Sequence, residues 1–218
     1  MNKTTELPDF LKADAPSRAG GKKLYLIGSA LVVALAAYFL FAGGNGAPLA
    51  SLVELPSGAK VAHVLAGKAE RRVLLATSDG YGFLCNLGDM TATKRAGKQF
   101  MSVDAGARIL APVLFEAAEG QHLAALSSGG KLLIFTLDQM KELSGGGRGN
   151  VLMGLDEGET LAAVCVAHTS LTLLCNTRGG KPVETSVAPR DWEQWLGKRA
   201  RKGKPAPGRS QANGLRGS

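Results

Sequence analysis

Apolar residues are spaced in two different ways along this chain of 218 residues. Leu24 to Phe41 is one uninterrupted apolar run of eighteen residues without a charge. From residue 72 onward the apolar residues come in short runs closed by small polar turns, which is the pattern of strands. Val73–Gly80 reads VLLATSDG, Leu123–Gly130 reads LAALSSGG and Leu173–Gly180 reads LLCNTRGG, so Gly80, Gly130 and Gly180 stand fifty residues apart. Glycine supplies the positive φ that a tight hairpin needs. A second strand is expected after each turn, over Tyr81–Leu87, Lys131–Leu137 and, more weakly, Lys181–Val187. A Gly-basic loop follows in the same phase: Lys94-Arg95-Ala96-Gly97-Lys98, then Gly145-Gly146-Gly147-Arg148-Gly149, then Leu196-Gly197-Lys198-Arg199. Ile109–Phe115 and Leu161–Val166 close the first two units. Several short strands per period of about fifty residues predict an all-β fold of propeller-like blades, about three of them.

The run at 24–41 is long enough, at about 1.5 Å per residue, to approach the ~30 Å of a hydrocarbon core as a helix. Arg18, Lys22 and Lys23 precede it and no basic residue follows before Lys60. The positive-inside rule then sets the N-terminus in the cytoplasm and the remainder outside. A cleavable signal peptide fits less well, since the small residues Ala42, Gly43 and Gly44 form a weak cleavage site. The competing reading is a buried strand pair or core helix, and Ile27-Gly28-Ser29 falls in the turn phase of the repeat, which favours the strand pair. The expected organisation is a polar disordered leader over 1–23, a transmembrane helix over 24–42, a β-repeat body over 44–195 and a disordered basic tail over 196–218.

Composition changes this picture in one respect. The formal charge is +8, yet Lys198, Arg199, Arg201, Lys202, Lys204, Arg209 and Arg216 give the segment after Trp195 a charge of +7 with no acid. The body is close to neutral, so the excess is local and asks for an anionic partner there. A segment rich in Gly, Pro, Lys and Arg offers little apolar surface against its ordering entropy, hence the expectation of disorder. Cys85, Cys165 and Cys175 lie in apolar strands without a CxxC spacing, which excludes a disulfide scaffold and a Cys-type zinc site. His63, His122 and His168 show no metal-ligand spacing, and no cofactor is expected. Met90 and Met140 share the repeat phase as packing residues, and Trp192 and Trp195 follow Pro189-Arg190-Asp191 in a short helix expected to cover a blade end.

The stretches LLATSDGYGFLCNLGDM, TKRAGKQFMSVDAGARILAPV and LAALSSGGKLLIFTLDQMKELSGGGRGN resemble the C-terminal domain of the DNA topoisomerase IV A subunit, a relative of the C-terminal domain of the gyrase A subunit. The resemblance runs from about Gly44 to Trp195. It implies a partial β-pinwheel, a set of four-stranded blades whose basic outer rim bends duplex DNA. It also implies two partners, the topoisomerase IV B subunit and the catalytic part of the A subunit, and a cytoplasmic, nucleoid-associated location. The catalytic tyrosine domain of that family lies upstream of the matching part, and Tyr25, Tyr38 and Tyr81 do not sit in its motif. No catalytic residue is therefore expected in this chain. Lys94–Lys98 is a degenerate form of the basic-glycine box of the gyrase A subunit, so chiral wrapping is not expected. The N-terminal forty residues resemble, in pattern alone, the anchors of periplasmic efflux adaptors. That supports a competing reading: an inner-membrane β-repeat interaction module without a DNA role.

Duplex DNA carries about one negative charge per 1.7 Å of axis, and Lys and Arg at one phase of a repeat lie along a line suited to a bent backbone. The expected phosphate contacts are Lys94, Arg95 and Lys98 in the first loop, Arg148 in the second, and Lys198, Arg199, Arg201, Lys202 and Lys204 in the third. Gly97, with Gly147 and Gly149, lets backbone N–H groups approach phosphate closely. Such contacts position a protein without reading bases.

Overall fold

The computed structural model describes residues 24–27, 30–33, 61–93, 97–177, 180–207 and 211–218. The strands are β1 (Leu24–Ile27), β2 (Ala30–Val33), β3 (Val61–Val64), β4 (Arg72–Ala76), β5 (Tyr81–Asn86), β6 (Thr91–Ala92), β7 (Val113–Phe115) and β8 (His122–Ser127). They continue as β9 (Lys131–Thr136), β10 (Asn150–Val151), β11 (Leu161–Ala167), β12 (Leu171–Asn176), β13 (Pro182–Val187), β14 (Lys204–Pro205) and β15 (Gln211–Gly217). Short 3₁₀ turns follow three of them, at Leu87–Met90, Leu137–Gln139 and Pro189–Gln194.

The repeated turns close the hairpins β4–β5, β8–β9 and β12–β13. In each, the glycine N–H donates to the carbonyl three residues back: Gly80 to Thr77 (3.0 Å), Gly130 to Ser127 (3.0 Å) and Gly180 to Thr177 (2.9 Å). The glycine φ values are +89°, +77° and +75°, where a side chain would be strained. The Ser127 and Thr177 hydroxyls also accept from the N–H of Lys131 and Lys181, which explains the Ser/Thr at the start of each turn.

The hairpins β4–β5 and β8–β9 each take a strand from the following unit. The order is β10-β5-β4-β7 in the second sheet and β11-β8-β9-β14 in the third. Asn150 and Val151 pair with Gly82 and Tyr81 of the preceding hairpin, and Lys204 and Pro205 pair with Leu132 and Lys131. The first sheet, β3-β2-β1-β6, is likewise completed by β6, while β3 joins β2 in parallel. The last sheet is β13-β12-β15.

Blades packed on both faces explain the continuous apolar runs. Leu74 and Ala76 of β4 meet Leu123, Ala125, Leu133 and Phe135 in one core, whereas Val73 and Leu75 pack with Phe83, Phe100 and Met101 in another. Ala124, Leu126, Leu132 and Ile134 face the opposite way, onto Leu171, Leu173, Cys175, Trp192 and Trp195. Met90 and Met140 are buried, as expected for packing residues. Trp192 and Trp195 are also buried, and their indole N–H groups donate to the Val187 carbonyl (3.1 Å) and the Pro205 carbonyl (2.9 Å).

Three expectations are corrected. Leu24–Ile27 and Ala30–Val33 are strands of an antiparallel hairpin, not part of a membrane-spanning helix; β1 also pairs with β6 through Leu24–Ala92 and Tyr25–Thr91. The repeat phase at Gly28-Ser29, not the eighteen-residue apolar length, is the governing signal. Among the described residues no helix is long and apolar enough to cross a membrane. The leader 1–23 and residues 34–42 lie outside the described residues. The tail is the second correction, because its described residues supply β14 and β15 in place of disorder. Sheet pairing is a backbone interaction that needs few apolar side chains, and here Trp195, Ala212 and Leu215 supply them. The β-structured body thus extends past Trp195 to Ser218, whose carbonyl accepts the N–H of His168 (2.9 Å) and Thr169 (2.8 Å). Third, the described residues form four sheets in place of about three blades.

Candidate nucleic-acid interface

The strand exchange creates the candidate site. After each hairpin the chain crosses back to the previous sheet, and the crossings into β10 and β14 carry a cation at one equivalent place. Arg148-Gly149 leads into β10 and Lys202-Gly203 leads into β14, so the shared register makes Arg148 and Lys202 counterparts. Gly97-Lys98 stands fifty residues before Gly147-Arg148. The glycine after the cation is a packing requirement. A Cβ on Gly149 would lie 2.1 Å from the Gly82 carbonyl oxygen, and one on Gly203 would lie 2.5 Å from that of Leu132. The crossing backbone therefore lies against the hairpin, with the preceding cation beside it.

Lys98, Arg148 and Lys202 differ in what surrounds them. The Lys98 ammonium donates to the Asp89 carbonyl (2.6 Å) and lies 4.9 Å from the centre of the Phe100 ring. The Arg148 guanidinium stacks 3.8 Å over the Tyr81 ring, donates to Asp104 (2.6 Å) and lies 3.8 Å from Asp79. Lys202 is ion-paired with Asp156, which also binds Lys131, and Lys131 reaches Glu159 at 3.1 Å. Hydrogen bonds from Lys131 and then Lys202 hold the Asp156 carboxyl down at about 2.

The ten expected contact positions separate accordingly. Lys94 and Arg95 lie outside the described residues, and Gly97 adopts φ +73°. Arg148 and Lys202 occupy equivalent places before β10 and β14, and Lys98 follows β6. Lys198, Arg201 and Lys204 are exposed and make no ion pair among the described residues. Arg199 does not extend to solvent with them: its guanidinium donates to the Val151 carbonyl and its N–H to Gln139 (2.9 Å), fastening the last crossing to the previous one. Ala200 beside it sits at φ +66°, where the middle crossing has Gly146 at +77°.

Sequence reasoning missed Asp79, Tyr81, Asp104 and Asp156 as parts of this rim; Lys131 recurs with Lys181 just after the turn glycines and reads either as rim-lining or as keeping the hairpin ends soluble. The available signal was a second repeat: Asp104-Ala105-Gly106 and Asp156-Glu157-Gly158, fifty-two residues apart. Among the described residues no cluster of His, Cys, Asp and Glu could hold a metal ion. Burial pushes the Cys85 and Cys165 thiols up to about 12, away from reactive thiolate chemistry.

A repeat of strand-exchanged sheets, with a cation-glycine pair at the crossings into β10 and β14, defines a β-propeller of the pinwheel type with a basic rim. The family model described as the DNA gyrase C-terminal domain, beta-propeller, matches residues 71–115 and 121–166. The A subunit of DNA topoisomerase 4 from Salmonella typhimurium is 30% identical over 170 residues, covering 74% of this chain and 22% of that protein. The same protein from Pseudomonas aeruginosa is 31% identical over 209 residues, covering 91% of this chain and 27% of that one. The solved E. coli ParC C-terminal domain superposes with a TM-score of 0.68 at 28% identity, over 79% of this chain and 71% of that one. The DNA gyrase A C-terminal domain, with a TM-score of 0.62 at 16% identity over 83% and 58% of the two chains, shares the fold. This chain is homologous to the C-terminal β-propeller domain shared by the A subunits of topoisomerase IV and gyrase. It spans about a fifth to a quarter of the length of the full-length proteins it matches.

Proposed function

We propose that the chain binds and bends duplex DNA along this rim, as the C-terminal part of the A subunit of a type II topoisomerase. In that role it supports relaxation and decatenation by a catalytic core, working in the cytoplasm with the catalytic part of the A subunit and with the B subunit. The observation that carries the reading is the recurrence of Arg148 and Lys202 at equivalent crossings, beside the exposed Lys198, Arg201 and Lys204. The fold, homologous to the DNA-binding C-terminal domain of the topoisomerase IV A subunit, supports the reading over a periplasmic interaction module. Lys94, Arg95 and Lys98 in the first crossing, Arg148 in the second and Lys198, Arg201, Lys202 and Lys204 in the third are the proposed phosphate contacts. Gly97 brings backbone close to the duplex, and Arg199 holds the third crossing in place.

Contacts of this kind make affinity fall with salt and depend weakly on base sequence. The test is fluorescence anisotropy of a labelled duplex over a series of salt concentrations. Steeply salt-dependent binding, weakened by Lys94/Arg95/Lys98→Glu, is expected. Affinity that is flat in salt, or unmoved by those substitutions, contradicts the proposal.

A further inference from the structure

Two rim cations meet a carboxylate that belongs to the repeat itself. Asp104-Ala105-Gly106 and Asp156-Glu157-Gly158 form the same turn. The Ala107 N–H donates to the Asp104 carbonyl (3.0 Å) and the Glu159 N–H to the Asp156 carbonyl (2.9 Å), while Gly106 and Gly158 adopt φ +84° and +76°. Each turn follows one crossing and directs its aspartate onto the cation of the next crossing: Asp104 onto Arg148, and Asp156 onto Lys202. The aspartate and its cation are distant in sequence, Asp104 standing 44 residues from Arg148, and the arrangement occurs twice at equivalent places. An incidental surface ion pair has neither property.

The local balance of charge follows. Asp104 and Asp79 together outweigh Arg148, and the group Lys131, Lys202, Asp156 and Glu159 is neutral. The Lys98 ammonium has a carbonyl oxygen as its hydrogen-bond partner. We propose that Asp104 and Asp156 are specificity-determining counter-ions of the rim, occupying the cations that the phosphates of a nucleic-acid backbone would otherwise take. A phosphate gains Arg148 or Lys202 only by displacing a carboxylate, so these two crossings bind a backbone more weakly than their count of cations implies. The proposal rests on the reading of this rim as a duplex-DNA surface.

The test uses the whole 218-residue chain and a labelled duplex, with Asp104→Asn and Asp156→Asn made singly and together. Each substitution should tighten binding several-fold and steepen the dependence of log affinity on log salt by about 0.9, the increment for one added phosphate contact. Arg148→Ala should cost more affinity in the Asp104→Asn background than in the parent chain. Unchanged or weaker binding with an unchanged slope, in variants that melt like the parent, overturns the proposal. If a variant melts lower, the Arg148/Asp104 double-mutant cycle, measured below both melting temperatures, decides, and zero coupling overturns it. A parent chain that fails to bind duplex, or binds without salt dependence, overturns the underlying reading, which distinguishes that failure from this one.

Discussion

The middle and last rim crossings share a backbone path and differ in their electrostatics. At 145–149 a single cation, Arg148, faces two carboxylates and an aromatic ring. At 196–205 five cations share the crossing: Lys202 is held by Asp156 and Arg199 by a carbonyl, while Lys198, Arg201 and Lys204 remain exposed. The count of Lys and Arg is thus a poor guide to where a phosphate backbone is held. On the proposed reading, what matters is how many cations lack an internal partner, and by that measure the last crossing dominates.

The largest expected effect is on binding. Lys198/Arg201/Lys204→Glu should weaken duplex affinity by more than about a hundredfold at low salt, since each phosphate contact contributes to both affinity and salt slope. The same charge reversal at Arg148 alone should cost far less, and equal losses would break the comparison. Stability supplies the next prediction. Trp195 packs between the sheets and donates to the Pro205 carbonyl of β14, so Trp195→Ala should cost about 3–5 kcal/mol in denaturant melts. It should also release the last crossing, which limited proteolysis after Lys198 or Arg201 would detect.

A smaller effect sharpens the backbone comparison. Ala200→Gly should stabilise the chain by about 1 kcal/mol, because alanine is strained at φ +66°. Gly146→Ala should destabilise it, since its Cβ would lie 2.0 Å from the Phe100 carbonyl oxygen. The smallest effect is acidic. The folded-state titration of Asp156 is depressed to about 2 from an ordinary value of 3.8, so its ion pairs contribute stability above pH about 4. That contribution is lost as pH falls through about 2. Asp156→Asn should therefore lower stability across the neutral range and flatten the acid limb of the profile over that window, so that variant and parent converge below pH about 2.

Much of this architecture was legible in the residues. The hairpins at Gly80, Gly130 and Gly180 were visible because a positive φ after a Ser/Thr turn leaves a local signature. Met90 and Met140 were readable as packing residues from their phase in the repeat, and Trp192 and Trp195 from their place in a short helix after Pro189. The strands at 24–33 were obscured because an unbroken apolar stretch satisfies a buried hairpin and a membrane helix equally well. The tail was obscured because β14 and β15 are held largely by backbone pairing with β9 and β12, which composition does not register. The carboxylates at the rim were hidden for a third reason: Asp104 and Arg148 meet only after strand exchange brings successive units together.

The most direct test is the salt dependence of duplex binding by the parent chain beside Lys198/Arg201/Lys204→Glu. A rim held by these cations gives a linear fall of log affinity with log salt, shallower in the variant by about 2.7, or 0.9 per lost contact. Identical slopes for the two chains would contradict it.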